Sequence, residues 1–171
     1  YTKYISTEAV YCNDRELTPG SKYYKTHPFN YATIERLNTN KTPTYDCTNI
    51  KDAFSGSNSE AKLTYPIGLM TADEIAYAGG VYGTNAPAWY YLNSAGGSIT
   101  GSTWWWSLSP SGWNSRYSNV WVVFGSDNPG FLSDSNVNDS YGARPAISIK
   151  SCALWSSGNG SSSSPYEING G

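Results

Sequence analysis

The sequence predicts an α+β domain built from short helices, several short antiparallel strands and extensive ordered loops. Three observations carry this. The tetrapeptide Thr71-Ala-Asp-Glu74 is a capping box, and the stretch that follows it stops at Gly79-Gly80. Apolar residues elsewhere fall into runs of strand length, at 63–69, 103–110, 119–124 and 143–149. Between these runs lie long stretches rich in Ser, Asn and Gly, with the dipeptides that mark turns.

Residues 1–60 are polar and poorly periodic, with turn signals at Pro19-Gly20 and Ser55-Gly56-Ser57-Asn58. Short strands and ordered loops are expected there, with the end of a helix at the start. Leu63, Tyr65, Ile67 and Leu69 alternate with their neighbours, as a half-buried strand requires. The Thr71 hydroxyl and Glu74 carboxylate can satisfy orphan amides reciprocally, so a helix is expected over 72–78. Residues 81–101 read as a surface excursion. The run Thr103-Trp-Trp-Trp-Ser-Leu-Ser-Pro110 reads as a strand ended by its proline. There Trp104 and Trp106 face one way and Trp105 the other, with one of those faces lining the core. Residues 119–124 form a second strand and residues 143–149 a third. The intervening 125–141 is a polar loop interrupted by Phe131, Leu132 and Val137. The Ser-rich stretch 156–165 is a low-complexity turn leading to a closing edge strand at 166–168. No repeat or boundary divides the chain, which reads as one domain over 1–171. Its abrupt start at Tyr1-Thr-Lys-Tyr-Ile5 reads as a piece of a longer protein.

Composition excludes some partners. Charged residues make up 14% of the 171 residues and the formal net charge is -2, with no basic run. Phosphate binding needs clustered Lys and Arg, so nucleic acid is not an expected partner. No apolar stretch reaches bilayer-spanning length, so direct membrane insertion is not expected either. The aromatic share is 15%, with 15 Tyr and 7 Trp beside abundant Ser, Asn and Gly. Tyr and Trp give stiff contact area with a polar tip, and small polar residues give adaptable hydrogen bonds, the combination found in antibody binding loops. The same aromatics would serve the core of an extracellular β-rich domain, and both uses stand open. Cys12 and Cys47 lie in polar segments without a CxxC spacing, which favours a disulfide between them over a metal or redox site. Cys152 either pairs outside the chain or stays free.

Catalytic chemistry finds little support. His27 is the one histidine and has no acid or cysteine at a useful spacing. Asp127, Asp134 and Asp139 lack the order of an EF-hand loop and read as solvated loop acids. No pair of carboxylates stands out for glycoside hydrolysis. No cofactor and no metal are expected, and the chain reads as a binder rather than an enzyme. Trp113, Tyr117 and Phe131 fall in or beside polar loops rather than in strand alternation, where exposed rings stack on sugars or anchor a protein interface. Their alternative use is to fold back over the core.

The string from Tyr65 to Gly80, the run Trp104-Trp-Trp-Ser-Leu-Ser-Pro110 and the run Tyr141-Gly-Ala-Arg-Pro-Ala-Ile-Ser-Ile149 resemble a family of bacterial and phage surface domains. These have the C-type-lectin-like fold in its formylglycine-generating-enzyme-like branch. The segment Tyr11 to Arg15 and the Gly-rich turn before Pro165-Tyr166 resemble theirs as well. Some members are variable proteins of diversity-generating retroelements, which randomise adenine-bearing codons to vary a ligand-binding face. The resemblance implies a variable segment over 111–141, an extracellular place on a bacterial surface or virion, and a protein or glycan ligand on a cell surface. Contacts are then expected from Ser111, Gly112, Trp113, Asn114, Ser115, Arg116 and Tyr117. Asp127, Asn128 and Phe131 are expected to add to them, as are Ser133, Asp134, Ser135, Asn136, Asn138 and Asp139. The residues of 111–141 are largely those that an Asn codon yields when its adenines change, whereas Trp113 and Trp121 are not. Trp104, Trp105, Leu108, Val122, Phe124, Leu132, Val137, Arg144, Pro145 and Ile147 would form the fixed scaffold, with Arg144 bonded internally. The paired active-site cysteines of the formylglycine-generating enzyme have no counterpart here, and neither do the tripeptides of calcium-dependent lectins. Neither activity is carried over. A carbohydrate-binding module or an adhesin of fixed specificity is the alternative.

Overall fold

The computed structural model describes residues 2–85, 104–125, 128, 130–161 and 163–168. A 3-10 turn at Thr2–Tyr4 stands where a helix end was expected. Then follow β1 (Tyr11–Cys12), β2 (Phe29–Asn30), α1 (Ala32–Ile34) and β3 (Ala53–Phe54). α1 runs directly into a π-helical segment, Glu35–Asn40. β4 (Gly68–Leu69), α2 (Ala72–Tyr77) and β5 (Val81–Tyr82) complete the first half. The second half holds the long strands β6 (Trp105–Trp113), β7 (Ser118–Val123) and β8 (Phe131–Asn136). After these come β9 (Gly142–Ala143), β10 (Pro145–Ala146), β11 (Trp155–Ser157) and β12 (Glu167–Ile168). The architecture is mixed α+β.

The main sheet has six strands in the order β2-β6-β7-β8-β5, with β9 also paired to β6. β6, β7 and β8 form an antiparallel meander, while β5 joins β8 and β9 joins β6 in parallel. Directly opposed residues share a face of the sheet. Trp105, Val123 and Leu132 are aligned on one face, together with Trp121. All four are at most 1% exposed and pack with Leu37, Ala72 and Ile75 of the helical segments. That inner face is the core. Three small antiparallel pairs, β1-β3, β4-β10 and β11-β12, stand beside the main sheet.

α2 forms as the sequence requires. Its N-cap Thr71 accepts from the Glu74 amide, the Glu74 carboxylate accepts from the Thr71 amide, and Gly79 follows with φ +104°. Only glycine enters that region without strain. Cys12 and Cys47 are joined by a disulfide, which ties β1 to the loop ahead of β3.

Elsewhere the structure departs from expectation. The run 63–69 is not an alternating strand: only Gly68–Leu69 pairs, and Tyr65 is 71% exposed. Pro66 has no amide for a ladder, and its carbonyl instead accepts from the Tyr11 hydroxyl. The helical turns at 32–40 were not foreseen, because Ile34 and Leu37 are their only large apolar residues. Pro110 does not end its strand. β6 continues to Trp113, with register shifts on both sides of the proline, where a missing amide is tolerated. The expected loop 125–141 contains β8. The run 143–149 is not one strand but the short β9 and β10, and Ile147 and Ile149 are exposed. Val137 is exposed too, so neither it nor Ile147 is scaffold. Residues 166–168 close no edge of the main sheet, since β12 pairs only with β11. Of the expected surface excursion 81–101, β5 is a sheet strand and 86–101 lies outside the described residues.

Candidate functional site

The outer face of the main sheet, turned away from the helices, carries the most distinctive surface chemistry. The pairs Trp106–Val122 and Val122–Ser133 place these residues on it, as does the pair Val120–Ser135. Alternation along β8 adds Phe131. Trp104 stacks on Phe124 at 3.7 Å, and Phe124 stacks on Phe131 at 4.7 Å. Tyr141 closes the row, 5.1 Å from Trp104 and 4.9 Å from Trp106 between ring centroids. All five rings are half-buried. A polar strip borders them: Ser135 Oγ donates to Asp139 Oδ2 at 2.6 Å and lies 3.1 Å from the Tyr141 hydroxyl.

The expected contact residues divide by this geometry. Phe131, Ser133 and Ser135 lie on the outer face, and Asp139 lies beside it. Asn114, Ser115 and Arg116 are exposed at the tip joining β6 to β7. Asn114 Oδ1 accepts from the Arg116 and Tyr117 amides, and Ser115 takes φ +77°. The Arg116 guanidinium lies 5.0 Å from the Tyr117 ring centroid. Asn114 Nδ2 donates to Asn136 Oδ1 at 2.7 Å, so the tip and the end of β8 form one edge, with Asn138 exposed just beyond. Asn128 is half-buried and its amide donates to Gly125 in the turn before β8. Asp127 lies outside the described residues.

Four expectations need correction. Ser111 is 1% exposed within β6, and its hydroxyl donates to Asp134 Oδ2 at 3.1 Å. Gly112 is buried too, and a Cβ there would stand 2.6 Å from the Phe29 carbonyl oxygen. Neither can meet a ligand. Asp134 points to the inner side, where Ser111 and Asn119 hold it, so it is not a solvated loop acid. Trp113 is not in a loop: it pairs with Phe29 of β2 and Ser118 of β7, and its indole nitrogen is buried. Of the expected anchors, Phe131 alone joins the aromatic row.

Trp104, Trp106, Phe124 and Tyr141 are not among the contacts the sequence suggests. The alternation of Trp104 with Trp105 was legible, but which side met the core was not. β8 was hidden by its composition, since Phe131-Leu-Ser-Asp-Ser-Asn136 holds only two apolar residues. Its one signal was the turn Asn128-Pro129-Gly130 before it. Arg144 places its guanidinium 4.8 Å from the centroid of the buried Trp105 ring, a cation–π contact in the scaffold. His27 is in an exposed loop, 3.1 Å from the Thr26 hydroxyl.

Among the described residues, no helix is long and apolar enough to cross a membrane. Comparison with protein-family profiles, characterised proteins and solved structures yields no match.

Proposed function

We propose that this chain is an extracellular ligand-display domain whose contacts come from the outer sheet face and the adjoining hairpin edge. Its fold is read as C-type-lectin-like. More particularly, it is read as a variable protein of a diversity-generating retroelement, displayed on a bacterial surface or virion as an adhesin or receptor-binding module. It binds a protein or glycan and catalyses nothing.

One observation carries the reading. β8 turns Phe131, Ser133 and Ser135 outward while Leu132, 0% exposed, fills the core and Asp134 is bonded inward. Ser133 and Ser135 take no part in the apolar core, so a strand built so can change them at little cost. Buried Trp121 and half-buried Trp113 are strand residues with scaffold contacts, as fits two tryptophans that adenine change in an Asn codon cannot produce. The stacked row of Trp104, Phe124 and Phe131 supports the alternative, a glycan-binding adhesin of fixed specificity.

A glycan array probed with the intact chain separates the two ligand classes. A coherent sugar family indicates stacking on the rings, and silence indicates a protein partner. In either case Ser133→Arg and Ser135→Arg should abolish capture of the cells or glycans bound by the parent, with the melting temperature almost unchanged. Leu132→Ala should instead cost about 2–5 kcal/mol of stability. Binding that survives both arginine variants would remove the outer face from consideration.

A further inference from the structure

Away from the main sheet, a cleft of about 560 Å³ opens beside the C-terminal end of α2. Tyr11, Tyr45, Met70, Glu74, Tyr77 and Ile147 are among its walls, and it shares no residue with the outer sheet face. Its volume is that of a small-ligand site. Tyr45 and Tyr77 stack at 4.3 Å with 13° between their planes, although they are 70% and 50% exposed. The Tyr77 hydroxyl donates to the Pro43 carbonyl at 2.7 Å, which fixes that ring in advance of any ligand.

The charge around this pair is one-sided. Among the described residues, Glu74 is the cleft's one charged lining residue. A smaller hollow of about 110 Å³ shares Tyr45 and Glu74 with it and is lined further by Asp14, Asp46 and Asp73, against Arg36 alone. Arg36 is already committed: Asp73 receives it through two oxygens at 2.7 and 2.8 Å, and Asp14 at 2.9 Å. Glu74 uses Oε2 for the Thr71 amide, and no hydrogen bond to its other oxygen is formed among the described residues. Fixed aromatic faces beside an uncompensated carboxylate are the chemistry of organic-cation recognition.

We infer that this cleft is a second binding site, for an aliphatic primary ammonium seated against the Tyr45–Tyr77 pair and Glu74. The ammonium arrives either as the lysine side chain of a peptide or as a free alkyl diamine. Its methylenes meet the rings and Met70, and its charge meets Glu74.

The test is a titration of the isotope-labelled chain, followed by its tyrosine ring resonances. The probes are Nα-acetyl-lysine methylamide, 1,5-diaminopentane and the neutral Nα-acetyl-norleucine methylamide. Saturable shifts of Tyr45 and Tyr77 with one or both amines, and none with the norleucine probe, are expected. The stronger of the two amines identifies the source. Glu74→Gln keeps the capping box, because Gln also serves at that position. It should leave the melting temperature in place while weakening amine binding tenfold or more. Added salt should weaken binding in the parent chain alone. Absence of saturable shifts with both amines, equal binding of the norleucine probe, or unaltered binding in Glu74→Gln would each overturn the assignment.

Discussion

Thr33 is the residue on which helix and sheet depend together. It is fully buried; its hydroxyl donates to the Pro110 carbonyl at 2.8 Å and accepts from the Trp121 indole nitrogen at 3.1 Å. Thr33→Val keeps the shape and strands both partners in a dry interior. A loss of about 2–3 kcal/mol is expected in urea unfolding at unchanged m-value, while Thr33→Ser, which keeps the hydroxyl, should lose less. A loss below about 0.5 kcal/mol would mean that relaxation re-pairs the indole. Two residues earlier, Tyr31 sits 5.6 Å from the Phe29 ring and 6.4 Å from Tyr23. Burial, and then the neighbouring Tyr23, push the Tyr31 phenol above its ordinary pKa. The unfolded chain therefore ionises this phenol first. The stability it contributes is complete below pH ~10 and falls as pH rises through the folded value. Tyr31→Phe should flatten that part of the alkaline loss in melts recorded from pH 9 upward.

At the scale of elements, legibility depended on where the determinants lie. α2 was readable because its cap, its first-turn acids and its glycine stop all sit within its own residues. Thr71→Ala should cost about 1 kcal/mol in a chemical melt, and Glu74→Gln much less. Equal losses would mean that the reciprocal bond, and not the threonine, holds the N-terminus. The helical turns at 32–40 were not readable, because they are stabilised from outside. Leu37 enters the core, Thr33 bonds to β6 and β7, and Arg36 pairs with Asp73 at the head of α2. β8 was hidden for the opposite reason. Its outward residues are Phe131, which stacks on Phe124, and the polar Ser133 and Ser135, while Asp134 on the inward side is held by Ser111, so no hydrophobic alternation marks the strand. Pro110 misled because a proline normally stops a ladder, whereas here the register shifts around it. The rings of the candidate site were visible as aromatic excess. Their assembly into one row required β7 and β8 to place Phe124 and Phe131 beside Trp104.

For the whole molecule, the α+β class followed from the mixture of one capped helix and several short apolar runs. The strand order could not follow, since β2 and β5 reach the sheet from the first half of the chain and flank strands of the second. In the proposed function, the core fixes the inner face of this sheet, while the outer face varies along β8 and at the 114–117 tip around the buried Val122. The most direct test is to sequence the coding locus and its flanks for a near-copy of codons 105–145 beside a reverse-transcriptase gene. Diversification predicts a copy differing from the gene only at adenines, with differences in the codons for Phe131, Ser133, Ser135 and the 114–117 tip. None should fall in those for Trp105, Trp121 or Leu132. A copy whose differences fall as often on Leu132 and Trp121 would contradict the division of the sheet into fixed and free faces. A locus without any copy would contradict diversification and leave an adhesin of fixed specificity.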